Sequence, residues 1–224
     1  MTGMAGARIL VVNPNSSAAC SAGIDVAIAG FRRVGGPDIA VETVAEGPPG
    51  IYSWRDWHAA VGPLCRHVAG AAADVFVVAC ASDPGIEAVR EVTDRPVLGV
   101  FRCAVAAALV RAERFGVIAL VDASVGRHAL ALRAMGVEGR LAAEIALNTT
   151  IEALLDREAT RAALVAAGRA LVARGAGAVV LGCTGMAGHR AALETAIGVP
   201  VIEPCQAAVA QALGVLVQAA PAAG

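Results

Sequence analysis

Short apolar runs alternate with longer stretches whose apolar residues recur at helical spacing, the pattern of β-α-β units on a parallel sheet. The runs Arg8 to Val12, Ile39 to Val44, Val75 to Ala79, Val97 to Val100, Phe115 to Leu120, Ala178 to Leu181 and Pro200 to Ile202 read as strands. Helices are expected over Ala18 to Arg33, Trp54 to Ala72, Ile86 to Val92, Ala104 to Arg114, Val125 to Met135, Ile151 to Arg174 and Gln206 to Val217. Pro63 lies inside the second of these. A kink or break is expected there, because proline removes a backbone donor and crowds the preceding turn. Residues 1–7 and 221–224 look like frayed ends.

The pattern then repeats. The opening run from Arg8, through Asn13-Pro14-Asn15-Ser16, is echoed from Arg114 to Ser124, and Val75 to Cys80 is echoed by Ala178 to Cys183. Each cysteine strand leads through a loop and helix to a short proline-led strand, with Cys80 to Pro96 spanning 16 positions and Cys183 to Pro200 spanning 17. The expected fold is therefore α/β: two similar domains, each a parallel sheet flanked by helices. A pseudo-twofold axis would relate them, with the active site between.

Composition narrows the chemistry. Hydrophobic residues make up 57% of the chain and aromatics only 3%, so small aliphatic side chains carry the packing. Eighteen basic residues against nineteen acidic ones leave a net charge of -1. That gives no global field for nucleic acid or an anionic membrane. All eighteen basic residues are arginine. Without lysine there is no Schiff base to pyridoxal phosphate, no Walker-A clamp and no amine nucleophile. Cys20, Cys65, Cys80, Cys103, Cys183 and Cys205 form no C-x-x-C pair and no zinc-spaced cluster, so no metal is expected. The apolar run Ile9 to Val12 is too short for a signal peptide. The uncharged stretch from Pro204 to Gly224 is interrupted by glutamines and reads as a buried helix, not a membrane span. Free thiols in the reducing cytoplasm are expected.

Ligands of open parallel sheets sit at the carboxyl ends of strands. Cys80 and Cys183 each follow an apolar strand there, on what would be opposite walls of one cleft. Asp83-Pro84-Gly85 reads as a helix start, with Asp83 as N-cap and Pro84 in the first position. Thr184-Gly185 plays that part after Cys183. A helix N-terminus favours thiolate over a thiol's ordinary pKa of about 8.5. Gly182 and Gly185 leave backbone N–H groups free to face a developing oxyanion. One thiolate and one thiol across a planar intermediate make a minimal racemase. Cys20, Cys65 and Cys205, within helical stretches, read as small hydrophobes. His58, His67, His128 and His189 have no obvious partner and read as surface or cap residues. Asn13-Pro14-Asn15-Ser16-Ser17 has two readings: a turn ending in a helix cap, or a strand end at which Asn15 binds a polar ring.

Taken together, NPNSS near the start, ACASDPGIEAVRE around Cys80 and LGCTGM around Cys183 resemble the hydantoin and allantoin racemases of the aspartate/glutamate racemase superfamily. The resemblance runs from Arg8 to Val217. It implies a cofactor-independent racemase of 5-substituted hydantoins, or of a related cyclic ureide such as allantoin, with Cys80 and Cys183 as catalytic residues. It implies substrate contacts at Asn15, Ala81, Ser82, Thr184 and Gly185. It also implies that the chain crosses to the second domain after the first proline-led strand and that its last helix returns. The domains would be 1–98 plus 205–224, and 99–204. Where such racemases carry a G-E-A-A pattern, this chain reads Phe101-Arg102-Cys103-Ala104, and where they carry threonines it has Ala119 and Leu120. Phe101 and Arg102 are accordingly candidates for changed substrate contacts. The expected partner is a small molecule, and the chain is expected to form a homo-oligomer. Arylmalonate decarboxylase, maleate isomerase or amino-acid racemase chemistry are alternatives within the superfamily. A two-domain binding module is the alternative outside enzymes, and it has no use for paired thiols.

Overall fold

The computed structural model describes residues 6–219, so 1–5 and 221–224 of the expected frayed ends lie outside the described residues. The first half runs β1 (Arg8–Asn13), α1 (Ala18–Ile28), β2 (Asp38–Thr43), α2 (Trp54–Gly70), β3 (Val75–Val78), α3 (Ile86–Arg90) and β4 (Val97–Gly99). Then come α4 (Val100–Arg111), β5 (Phe115–Ala119), α5 (Asp122–Ala134), β6 (Leu141–Ala146), α6 (Arg157–Ala173), β7 (Ala178–Gly182), α7 (Arg190–Ile197), β8 (Val201–Ile202) and α8 (Pro204–Ala219). The strands form two parallel four-stranded sheets, β2-β1-β3-β4 and β6-β5-β7-β8. The two orders are the same, so the repeat in the sequence is a repeat in the fold.

The central strands are buried on both faces. β1 from Ile9 onward, β3, β5 and β7 carry no exposed residue, which is why they read as unbroken apolar runs. β6 was not expected. Its sequence, Leu-Ala-Ala-Glu-Ile-Ala, is half-buried throughout and lies at a sheet edge. Helix α2 runs unbroken through Pro63, so the chain does not break there. A capping box of Ser53 and Asp56 fixes its start, and Ala60, Leu64 and Val68 bury one stripe at four-residue spacing. Packing along that stripe outweighs the lost backbone bond. Among the described residues no helix is long and apolar enough to cross a membrane.

Helix α4 stands between the cores. Val100 and Cys103 join the apolar cluster of Ile9, Val11, Val75 and Val77, while Phe101, Ala104, Val105 and Ala108 join that of Phe115, Val117 and Val180. Helix α8 closes the first cluster with Cys205, Ala208, Val209, Ala212 and Leu216.

Candidate active site

Cys80 lies two residues beyond β3, and Cys183 directly follows β7. Both line one cavity of ≈ 50 Å³ at the carboxyl ends of the two sheets. Asn15, Ala81, Ser82, Thr184 and Gly185 line it too. The volume is about a third of the roughly 150 Å³ of an apolar cavity that admits benzene.

Local chemistry holds each wall. Asn13, fully buried, donates through Nδ2 to Asn15 Oδ1 at 3.0 Å and to Ser21 Oγ at 3.0 Å. Ser17 N–H donates to the same Asn15 oxygen at 2.9 Å, and Ser17 Oγ accepts from Cys20 N–H at 3.3 Å as the cap of α1. Ser17 thus caps α1, as the turn reading expected, and Asn15 lines the cavity with its amide oxygen anchored. On the second wall a Cβ at Gly182 would lie 2.6 Å from the Ile118 carbonyl, so β7 approaches β5 too closely for any side chain there.

Burial pushes the Cys80 thiol up, opposed by the Ser82 hydroxyl and N–H and by the Arg127 charge. Cys80 Sγ and Ser82 Oγ are 3.5 Å apart. Burial pushes Cys183 up to about 12, opposed by the Gly185 N–H. A 3-10 helix does start at Thr184, directly after Cys183, and its Gly185 N–H acts in the expected acidifying direction, but burial outweighs it at both thiols. Helix α3 begins only at Ile86 and spans five residues, and desolvation of the sulfur is the larger effect.

Asp83 does not cap the helix that follows it. The N-cap of α3 is Gly85, in the left-handed region at φ 61°. The Asp83 carboxylate turns instead to α4, accepting from Phe101 N–H at 2.9 Å and Arg102 N–H at 3.0 Å. Burial raises its pKa, while those N–H groups and the Arg102 guanidinium oppose the rise.

A profile of the Asp/Glu/Hydantoin racemase family matches residues 9–212. The chain belongs to that family. It is 37% identical over 209 residues to a hydantoin racemase of Paenarthrobacter aurescens, covering 90% of this chain and 87% of that one. Among solved structures it is similar to allantoin racemase from Klebsiella pneumoniae, at 31% identity and TM-score 0.86, over 95% of this chain and 88% of that one. It is also similar to allantoin racemase from Pseudomonas fluorescens, at 26% identity and TM-score 0.87, over 94% of this chain and 91% of that one.

Phe101 and Arg102, which differ from the racemase pattern, are not among the residues lining the cavity. Phe101 is fully buried and stacks on His128, with ring centroids 4.2 Å apart at 14°. Arg102 pairs with Asp83 at 3.1 Å and Glu87 at 2.6 Å, beside a second hollow lined by Trp54 and Trp57. Its charge is met within the protein. Leu120 does line the cavity, and Ala119 does not.

Helix α5 adds a further part of the cavity wall. Ser124, Arg127, His128, Ala131 and Leu132 are its buried residues, and the first three line the cavity. His128 is no surface residue. It is fully buried, with Nδ1 2.5 Å from Glu144 Oε1, and its Nε2 has no partner among the described residues. The signal was available: positions 124, 127, 128, 131 and 132 follow the i, i+3, i+4, i+7, i+8 spacing of an inward face. The other histidines are partnered as well. His67 Nε2 lies 2.8 Å from Glu42, His58 stacks on Trp54, and His189 is buried.

Proposed function

We propose that this protein is a cofactor-independent racemase of 5-substituted hydantoins, or of a related cyclic ureide such as allantoin, in which Cys80 and Cys183 exchange the α-proton. The observation that carries the reading is the equivalence of the two cysteines, each at the carboxyl end of the matching strand of two like sheets, on one cavity. Family membership and the names of the hydantoin and allantoin racemases it resembles support the substrate class.

In the forward direction a Cys80 thiolate removes the α-proton, and the C–H electron pair moves onto the neighbouring carbonyl oxygen. The planar enolate is then protonated on its other face by the Cys183 thiol, which is left as thiolate. The reverse direction exchanges the roles. Asn15 and the N–H groups after each cysteine hold the ring by its polar edge. The two walls belong in this reading to separate bodies, 1–98 with 205–224 and 99–204, whose parting admits the ring. The working form is a homo-oligomer in the reducing cytoplasm, with all six thiols free.

Polarimetry on enantiopure hydantoins and allantoin in D₂O tests the function. Loss of rotation with deuterium entering the α-carbon is expected, without added cofactor and in the presence of a chelator. Rotation no faster than the uncatalysed control for every compound overturns it.

A further inference from the structure

Arg127 sits on the wall of the thiol cavity with 3% of its surface exposed. Its Nη2 donates to Ser124 Oγ at 3.0 Å, and its guanidinium lies over the Trp54 ring, 5.8 Å from the centroid. Nε and Nη1 have no partner among the described residues. No carboxylate pairs with it among those residues. Asp56, whose charge reaches it, is engaged in the cap of α2 by Ser53. A buried cation with unmet donors is costly unless an anion completes it. The resting cavity holds only neutral sulfur, since burial keeps both thiols protonated at neutral pH.

We propose that Arg127 is the charge partner of the reaction: its guanidinium holds the single negative charge, first on the Cys80 sulfur and then on the substrate oxygen beside the α-carbon. The inference rests on the racemase reading for its second half. At rest Cys80 is a thiol; once it has given its proton to solvent, the thiolate and Arg127 together are neutral. When the sulfur takes the α-proton, the electron pair of the broken C–H bond places the same charge on the carbonyl oxygen, and Arg127 stays protonated throughout. The local sum does not change as the charge moves, which lowers the barrier in a site with little water. Other groups acting on Cys80 are Ser82, Asp83 (held by Arg102) and Cys183. His128 also lines the cavity, with Nδ1 held by Glu144.

Alkylation of Cys80 by iodoacetamide, followed at that residue by mass spectrometry across pH, reads its thiolate without any turnover. In Arg127→Gln the Cys80 profile should move up by about one pH unit, with alkylation near pH 7.5 slowed about tenfold. Arg127→Lys, which keeps the charge though not the stacking on Trp54, should stay within about threefold of wild type. For racemisation, Arg127→Ala should lower kcat by at least about tenfold with a smaller change in KM. Guanidinium chloride should restore part of that loss, and sodium chloride at equal ionic strength should not. An unshifted Cys80 profile in Arg127→Gln, a loss in Arg127→Lys as deep as in Arg127→Gln, or no rescue by guanidinium each overturns the proposal. A shifted profile in a protein that racemises no hydantoin or allantoin would keep the partnership with sulfur and remove the racemase reading. Full racemisation with an unshifted profile would do the reverse.

Discussion

Asp83 holds Arg102 twice, once by its backbone N–H at 3.0 Å and once by its guanidinium at 3.1 Å. The same carboxylate accepts from Phe101 N–H, so the loop after Cys80 is tied to the start of α4, the helix that joins the two cores. Asp83→Ala leaves those N–H groups without an acceptor and Arg102 with only Glu87. It should cost roughly 2–4 kcal/mol in urea unfolding. Asp83→Asn should cost less, because it keeps an acceptor oxygen and tolerates the observed φ of 45°. Equal losses for Asn and Ala would contradict the capping role.

Cys80→Ser and Cys183→Ser should each abolish racemisation, since a hydroxyl is too weak an acid to exchange protons at neutral pH. Each single variant still presents one thiol to one face. Proton NMR in D₂O should therefore show α-proton exchange for one enantiomer only, and opposite enantiomers for the two variants. Ordinary racemisation by either variant would end the two-thiol mechanism.

The direction of the thiol shifts sets a pH profile. An acid whose pKa is raised stays protonated further up the scale, so its ionised fraction grows about tenfold per pH unit below that pKa. With Cys183 at about 12 and Cys80 also raised, kcat/KM should climb close to tenfold per unit from pH 7 to pH 8.5. A flat profile over that interval would show that the catalytic thiol of the free enzyme is already ionised at pH 7, against the direction in which burial moves it.

Glu203 gives a separate titration, this one in stability. Burial lifts its carboxyl from 4.5 to about 7, against the N–H groups of Gln206 and Cys205 and the Arg190 charge. The folded protein holds this proton more tightly than the unfolded chain. The stabilisation is complete below the unfolded pKa and is lost as pH rises through the folded one. Stability should thus decline between about pH 4.5 and pH 7, by on the order of a few kcal/mol from this group. Glu203→Gln keeps an acceptor and cannot ionise, so its stability relative to wild type should improve across that window in urea titrations. A constant difference would place the proton elsewhere.

Gly182→Ala should lower both stability and racemisation. The added methyl meets the Ile118 carbonyl at 2.6 Å and Ala119 Cα at 3.1 Å, both backbone, so β7 must shift and carry Cys183 with it. The loss should appear in kcat more than in KM, since the reacting atoms are displaced more than the ring. A variant with wild-type kcat would show that the strand end tolerates movement.

Much of this was legible in the chain, and the limits have physical causes. Strands buried on both faces, such as β3 and β7, announce themselves by composition, and with them the two cysteines that follow. β6 was silent because an edge strand half-buried throughout has neither a continuous apolar run nor a clean alternation. The bond from Asp83 to α4 spans 18 residues and depends on a backbone turn that no local pattern encodes. Arg102 stands out in the sequence because it differs from the racemase pattern, whereas the arginine on the cavity wall is Arg127. Its inward face was readable from the spacing in α5, but a buried arginine is rare enough that periodicity alone favours placing it outside.

The return of α8 to the first sheet has a consequence for how the chain is made. β1 is synthesised long before α8, yet the cluster around Ile9 and Val11 is closed by Val209, Ala212 and Leu216, about two hundred residues later. The segments of the β5 sheet from Phe115 to Ile202 are all synthesised before that helix. Vectorial folding should therefore complete the later half first and leave the earlier half open until α8 has emerged, the inverse of the usual order of synthesis. The same crossing raises the mean sequence separation of contacts, so the slowest folding event should be the docking of α8.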